Sequence, residues 1–200
     1  MKSNLVKSDK FNFVVFENIF NEEELGKIWI EVTFLSDFNK LKNEQQLGSA
    51  YEGNKLLKKG YGIWLDEMYT NRHTSNYLRL YKKPFSCEEM DDYFKQDYTL
   101  NLFRNTNRDN TLINYYADSN YYEPHLDNAC YSYVFWLFRE PRMFTGGEFY
   151  FPDIDCELSA ASNCGVLFPS WAKHGVKQIE NNVDGTEFAG RFSFSTFFHI

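Results

Sequence analysis

Two hundred residues suffice for one domain with a sizeable buried core. The composition is 43% hydrophobic and 19% aromatic, with 20 Phe and 14 Tyr, which excludes a disordered chain and favours β structure, where rings pack well on pleated, half-buried surfaces. A net charge of −7, from 21 basic and 28 acidic residues, excludes a domain-wide attraction to nucleic acid or to an anionic membrane, since both need a positive footprint.

The opening Met-Lys-Ser-Asn-Leu-Val-Lys has no apolar signal core, and no run approaches the ~20 apolar residues of a membrane span. The expectation is a cytoplasmic protein with no membrane partner. Cys87, Cys130, Cys156 and Cys164 form no C-x-x-C pair, so neither a zinc knuckle nor a dithiol motif is supported. Residues 11–16 read as a strand. Asn21 and Glu24 then make a capping box, and Leu25, Ile28, Trp29, Val32 and Leu35 fall on one helical stripe.

The polar stretch 37–60 reads as a connector or a loop over a site, with Lys55, Lys58 and Lys59 as a solvated face. Residues 63–81 have mixed helical periodicity, and Pro84 ends them. Ser86 and Glu89 make a second capping signature, predicting a helix through Met90, Tyr93, Phe94 and Phe103. After 110 the texture changes to short runs rich in Tyr, Val, Phe and Trp between turn residues. Strands are predicted over 111–116, 121–127, 131–138, 147–151, 165–168, 173–179 and 191–198, the pattern of a sandwich or barrel.

His125 and Asp127 stand two apart in the predicted strand 121–127, so both side chains project from one face. His174, 47 residues beyond the aspartate, is the best third ligand. Two imidazoles and one carboxylate leave positions open on a metal, which suits non-haem Fe(II). The same set with a bound water suits zinc, and Glu123 would then be the general base. His73, in a polar run, and His199, next to last, read as structural or exposed.

In the last strand, alternation puts Arg191, Ser193 and Ser195 on one face and Phe192, Phe194 and Thr196 on the other. An arginine set among buried aromatics needs a partner, because an unpaired buried charge is costly. That partner is either a protein carboxylate or a dicarboxylate co-substrate held bidentately, with Ser193 adding a hydroxyl.

Taken in order, His125-Leu-Asp127, Gly146-Gly-Glu-Phe-Tyr-Phe151, Phe168-Pro-Ser170, His174-Gly-Val176 and Gly190-Arg-Phe-Ser193 resemble the 2-oxoglutarate/Fe(II)-dependent oxygenase superfamily, in its prolyl 4-hydroxylase-like branch. The opening Phe13-Val-Val-Phe-Glu-Asn-Ile-Phe-Asn-Glu-Glu-Glu-Leu25 is similar to the strand-then-helix start of that family. The resemblance implies an α+β, mainly β fold: a double-stranded β-helix (jelly roll) with N-terminal helices against one sheet. It implies one domain over 1–200, with a strand and supporting helices over 1–110 and the β-helix core, carrying the site, over 111–200.

The resemblance also implies iron on His125, Asp127 and His174, with Arg191 and Ser193 on the distal carboxylate of 2-oxoglutarate. Tyr116, nine residues before His125, would hydrogen-bond that carboxylate; Trp136 would line the same pocket and Tyr122 the substrate side. O2 would be the other co-substrate, ascorbate a reductant, and succinate and CO2 the products of hydroxylating an unactivated C–H. The implied substrate is a prolyl residue of a peptide or protein. A free amino acid or other small molecule is the alternative; a zinc-dependent hydrolase and a non-catalytic metal-binding module stand further off. No nucleic acid is implied, and the oligomeric state is not legible. Two features depart from the family. Arg191 lies 17 residues after His174, a longer gap than usual, with a polar insertion at 180–185 to account for it. Collagen-type prolyl hydroxylases also carry lysine where this chain has Arg191.

Overall fold

The structure, a computed structural model, describes residues 1–37, 40–47, 51–158, 161–181 and 188–200. The chain opens with β1 (Lys2–Val6), β2 (Phe13–Glu17) and the helix α1 (Glu22–Asp37). Short pieces follow: β3 (Lys42–Asn43), α2 (Glu44–Leu47), the hairpin of β4 (Tyr51–Glu52) and β5 (Lys55–Leu56), then β6 (Lys58–Lys59) and β7 (Tyr61–Trp64). Four helices, α3 (Leu65–Met68), α4 (Asn76–Leu80), α5 (Glu88–Gln96) and α6 (Tyr98–Asn101), lead into the β-rich half. That half holds β8 (Arg108–Tyr116), β9 (Tyr121–His125), β10 (Tyr131–Leu137), β11 (Phe144–Gly146), β12 (Phe149–Phe151) and β13 (Cys156–Leu158). It closes with β14 (Cys164–Pro169), β15 (His174–Val176), β16 (Ile179–Asn181) and β17 (Arg191–His199).

The strands form a major sheet in the order β1-β2-β14-β10-β17-β8-β7-β3 and a minor sheet in the order β13-β12-β15-β9-β6, every pairing within them antiparallel. This is the jelly roll that the family resemblance implies, within the sandwich-or-barrel class read from the strand pattern. Period-two alternation on β10 and β17 divides the core in two. Tyr133, Phe135, Phe192, Phe194 and Phe198 face a helical layer that includes Ile28, Val32 and Leu35 of α1. Val134, Trp136 and the neighbouring Phe168 of β14 face the minor sheet instead, against Phe149, Phe151 and Val176. Between the sheets, on that second face, lie Arg191 and Ser193, both buried.

The capping box at α1 is present: Glu24 N–H donates to Asn21 Oδ1 (2.9 Å) and Asn21 N–H to Glu24 Oε2 (2.8 Å). The second one is not. Cys87 is the N-cap of α5 and caps nothing through its side chain, while Ser86 closes a 3₁₀ turn with its Oγ 3.5 Å from Lys82 O. Phe103 does not belong to that helix either, because Asp97 ends α5 and caps α6 through its carboxylate. The stretch 37–60 is more than a connector, since it supplies β6 to the minor sheet and precedes β7 of the major one. Residues 38–39 and 48–50 of it lie outside the described residues, as do 182–185 of the insertion. Strands β1, β3 to β7, β11 and β13 have no counterpart in the sequence reading. All four cysteines are free thiols. No helix among the described residues is long and apolar enough to cross a membrane.

Candidate metal centre

His125 ends β9 and His174 opens β15, and the register pairs these two residues directly across the minor sheet. Asp127 is not on the strand with His125, as alternation had placed it. The chain leaves β9 after His125, and Asp127 N–H donates to Ser170 O (3.1 Å), which anchors the carboxylate at the sheet's end. The three side chains still meet. Asp127 Oδ1 lies 3.4 Å from His125 Nε2 and Oδ2 lies 3.3 Å from His174 Nε2. One ligand atom from each of the three falls within 4.8 Å of the others.

The surroundings fix which atoms face inward. His125 Nδ1–H donates to Glu123 O and His174 Nδ1–H to Ala172 O, both at 2.9 Å, so each Nε2 presents a lone pair to the common centre. Tyr122 stacks on His125 at 3.5 Å between centroids, and Phe149 and Phe168 hold His174. Ser132 Oγ–H donates to Asp127 Oδ2 (2.5 Å) and is itself 2.8 Å from Ser170 Oγ. Burial alone would raise the Asp127 pKa, yet His174 and His125 outweigh it and hold the carboxylate well below its usual range. Burial pushes His125 down, toward the neutral form a metal needs. A charged carboxylate and two oriented imidazoles converge here and could hold a cation.

Beside the triad is a cavity walled by Tyr116, Tyr122, Asn114, Ser193, Ser195 and Lys58, among others. Arg191 and Trp136 lie one layer behind that wall. The Arg191 guanidinium carbon is 5.6 Å from the Tyr116 ring centroid and 5.9 Å from that of Trp136. Arg191 is fully buried (0% exposed), and its Nη1 donates to the Gly147 carbonyl. Its Nε and Nη2 have no hydrogen-bond partner, and no carboxylate lies within ion-pair distance among the described residues. Of the two readings of this arginine, the internal salt bridge is absent. Burial lowers its pKa to about 10, so the guanidinium stays charged at neutral pH. The backbone there is exacting. Gly147 has φ +71°, and a Cβ on Gly190 would sit 2.0 Å from Tyr116 O, so glycine is needed where β17 starts against β8.

Glu123, the base a hydrolase would use, is turned away. Its carboxylate is 3.5 Å from Lys55 Nζ and lines a different surface depression, leaving Asp127 as the sole acid on the cavity wall among the described residues. His73 is exposed in a 3₁₀ turn and His199 lies 3.2 Å from Asn110 Oδ1, both remote in role from the triad. Lys58 was read as part of a solvated face, and the structure corrects this. Pairing of β6 with β9 turns it inward, 6% exposed, where it donates to Asn114 Oδ1. Ser132 and Asn114 were also missed; neither stands in a motif, and their roles come only from the strands that flank the triad.

No protein-family profile and no curated protein matches the sequence. Solved structures do match in shape. A prolyl-4-hydroxylase from Pseudomonas putida aligns over 96% of this chain and 94% of its own, with a TM-score of 0.59 at 14% identity. A prolyl hydroxylase from Trichoplax adhaerens, in complex with a hypoxia inducible factor oxygen degradation domain peptide fragment, aligns over 94% and 83% (TM-score 0.62, 12% identity). The viral collagen prolyl hydroxylase of Paramecium Bursaria Chlorella virus-1, in its 2OG complex, aligns over 93% and 94% (TM-score 0.52, 8% identity). At such identities the likeness is one of fold.

Proposed function

We propose that this chain is an Fe(II)/2-oxoglutarate-dependent dioxygenase that hydroxylates an unactivated C–H, releasing succinate and CO2. One observation carries the reading: a fully buried guanidinium with two donor atoms unmet, in the same inter-sheet layer as a His-Asp-His cluster. A protein bears the cost of such a charge when a ligand completes it, and an arginine fork is matched by a carboxylate. His125, Asp127 and His174 would hold the iron, leaving positions open for co-substrates. Bound there, iron and 2-oxoglutarate supply the oxidative chemistry, with O2 as oxidant and ascorbate as a reductant. The fold shared with prolyl hydroxylases supports the same conclusion.

The protein's own residues do the rest. Tyr116 stands between the cavity and Arg191, so its phenol is the first group a far carboxylate meets, with Ser193 beside it. Ser132 and the two backbone carbonyls hold the ligand atoms in place. Phe149, Phe168 and Val134 keep the inner wall dry.

For the substrate, a prolyl residue of a peptide is the reading that likeness in fold to prolyl hydroxylases supports. His125 also lines an open groove with Tyr51, Leu57, Pro124, Leu126 and Trp171. Tyr51, Leu126 and Trp171 are 53%, 61% and 54% exposed, and exposed apolar side chains around a groove suit an extended peptide. The test is succinate release from 2-oxoglutarate with Fe(II) and ascorbate, without and with proline-containing peptides. Peptide-stimulated release is expected. Absence of both uncoupled turnover and 2-oxoglutarate binding would overturn the assignment.

A further inference from the structure

Lys58 is a second buried cation in this site that neither the triad nor the diacid accounts for. Its stem enters from β6, the edge strand of the minor sheet, in register with Tyr122 of β9. Its ammonium donates to Asn114 Oδ1 and lies 5.4 Å from the Tyr122 ring centroid. An ammonium carries three donors, and an amide oxygen and a ring face are neutral partners. No carboxylate lies within ion-pair distance of it among the described residues, Asp127 acting only at longer range. A lysine serving packing alone sends its charged end out to water, whereas this one ends on the wall of the metal cavity.

The two cations keep different company. Arg191 joins Gly147, Trp136 and the far side of Tyr116, while Lys58 joins Asn114 and the ring that stacks on His125. A diacid brings two carboxylates, one for the metal and one for Arg191. The ammonium of Lys58 is left for the other reactant.

Resting on the oxygenase reading above, we propose that Lys58 is the anion-binding residue of the primary-substrate site: it receives a carboxylate close to the carbon that is hydroxylated. That carboxylate belongs either to a free small acid or to an acidic side chain beside the target residue of a peptide. Each would meet the ammonium and take over the role Asn114 plays in the free protein.

The probe is the side-chain amine signal of Lys58, followed by NMR in protein labelled with 15N-lysine and loaded with Zn(II), and assigned by its loss in Lys58→Arg. Propionate against propionamide tests for the anion subsite without assuming any substrate. L-Proline against L-prolinamide, and acetyl-Asp-Pro-Ala-amide against acetyl-Asn-Pro-Ala-amide, separate a free acid from an acidic peptide. The expected result is that acids shift the signal and their amides do not, while saturation with 2-oxoglutarate leaves it in place. In Lys58→Met, the preference for acid over amide in binding, at least about tenfold in the parent protein, should fall below about twofold. A signal that moves with 2-oxoglutarate alone, answers acids and amides equally, or ignores every acid overturns the proposal. Because the titration needs no turnover, its failure is distinct from failure of the succinate assay.

Discussion

Arg191 sets the sharpest expectation at the scale of single residues. Its charge is buried without an anionic partner among the described residues, so it costs the free protein stability. Replacing it with an apolar side chain of similar length, Arg191→Met, should leave the free protein as stable or up to about 2 kcal/mol more stable. The same change should abolish the affinity for 2-oxoglutarate while Mn(II) binding persists. Urea denaturation and calorimetric titration read the two effects, and a loss of several kcal/mol would make Arg191 a structural residue. The contact from Ser132 to Asp127 gives a second expectation. Ser132→Ala should weaken Mn(II) or Co(II) binding by about 10- to 100-fold, as for other groups that orient metal ligands, and Asp127→Ala should weaken it further. Comparable affinity in all three proteins would show that the cluster holds no metal. His125 and His174 were legible as candidates because the chain has four histidines, Asp127 because it stands two residues from His125, and Arg191 because it is a charge set among aromatics. Lys58 was not: next to Lys59, in a polar run, its burial is decided by β6 pairing with β9, and nothing local announces that.

Two capping signatures look alike at the scale of elements, and only one forms. Asn21 and Glu24 exchange hydrogen bonds because the chain leaves β2 extended and turns straight into α1. Ser86 follows Pro84 in a 3₁₀ turn that spends its hydroxyl on the preceding turn and moves the helix start to Cys87. Asn21→Ala should therefore cost about 1 kcal/mol of unfolding free energy. Ser86→Ala should stay within about 0.5 kcal/mol of the parent protein. Equal losses for the two, measured by denaturant unfolding, would contradict the geometry described. The long aromatic strands were legible through alternation. Missing elements such as β1, β6, β7 and β13 are short, charged or both, and they become strands only because a partner edge is already there.

On the proposed reading, ligand binding and folding are coupled at the scale of the whole molecule, because buried groups on both sheets would be completed by the ligands. With Mn(II) present and 2-oxoglutarate at about 100 times its dissociation constant, mass action adds about 2.7 kcal/mol to stability. For a chain of this length that corresponds to a rise in Tm of roughly 5–10 °C. Succinate, which lacks the chelating keto group, should give a smaller rise. Thermal unfolding checks this, and no shift with either diacid would count against the pocket. A sandwich or barrel was visible in the rhythm of short strands, and the jelly roll within that class came only from the family resemblance. The division of labour between its two faces was visible only once β10 and β17 had neighbours.

That division makes the final strand a self-checking element. Were β17 to slip by one residue along β8 and β10, Arg191 would enter the oily layer beneath α1, and Phe192 and Phe194 would crowd the space beside the triad. Misaligned chains thus carry a charge in fat and grease in the polar cavity, two faults from one error. The guanidinium that would greet a diacid in the finished protein also proofreads its assembly.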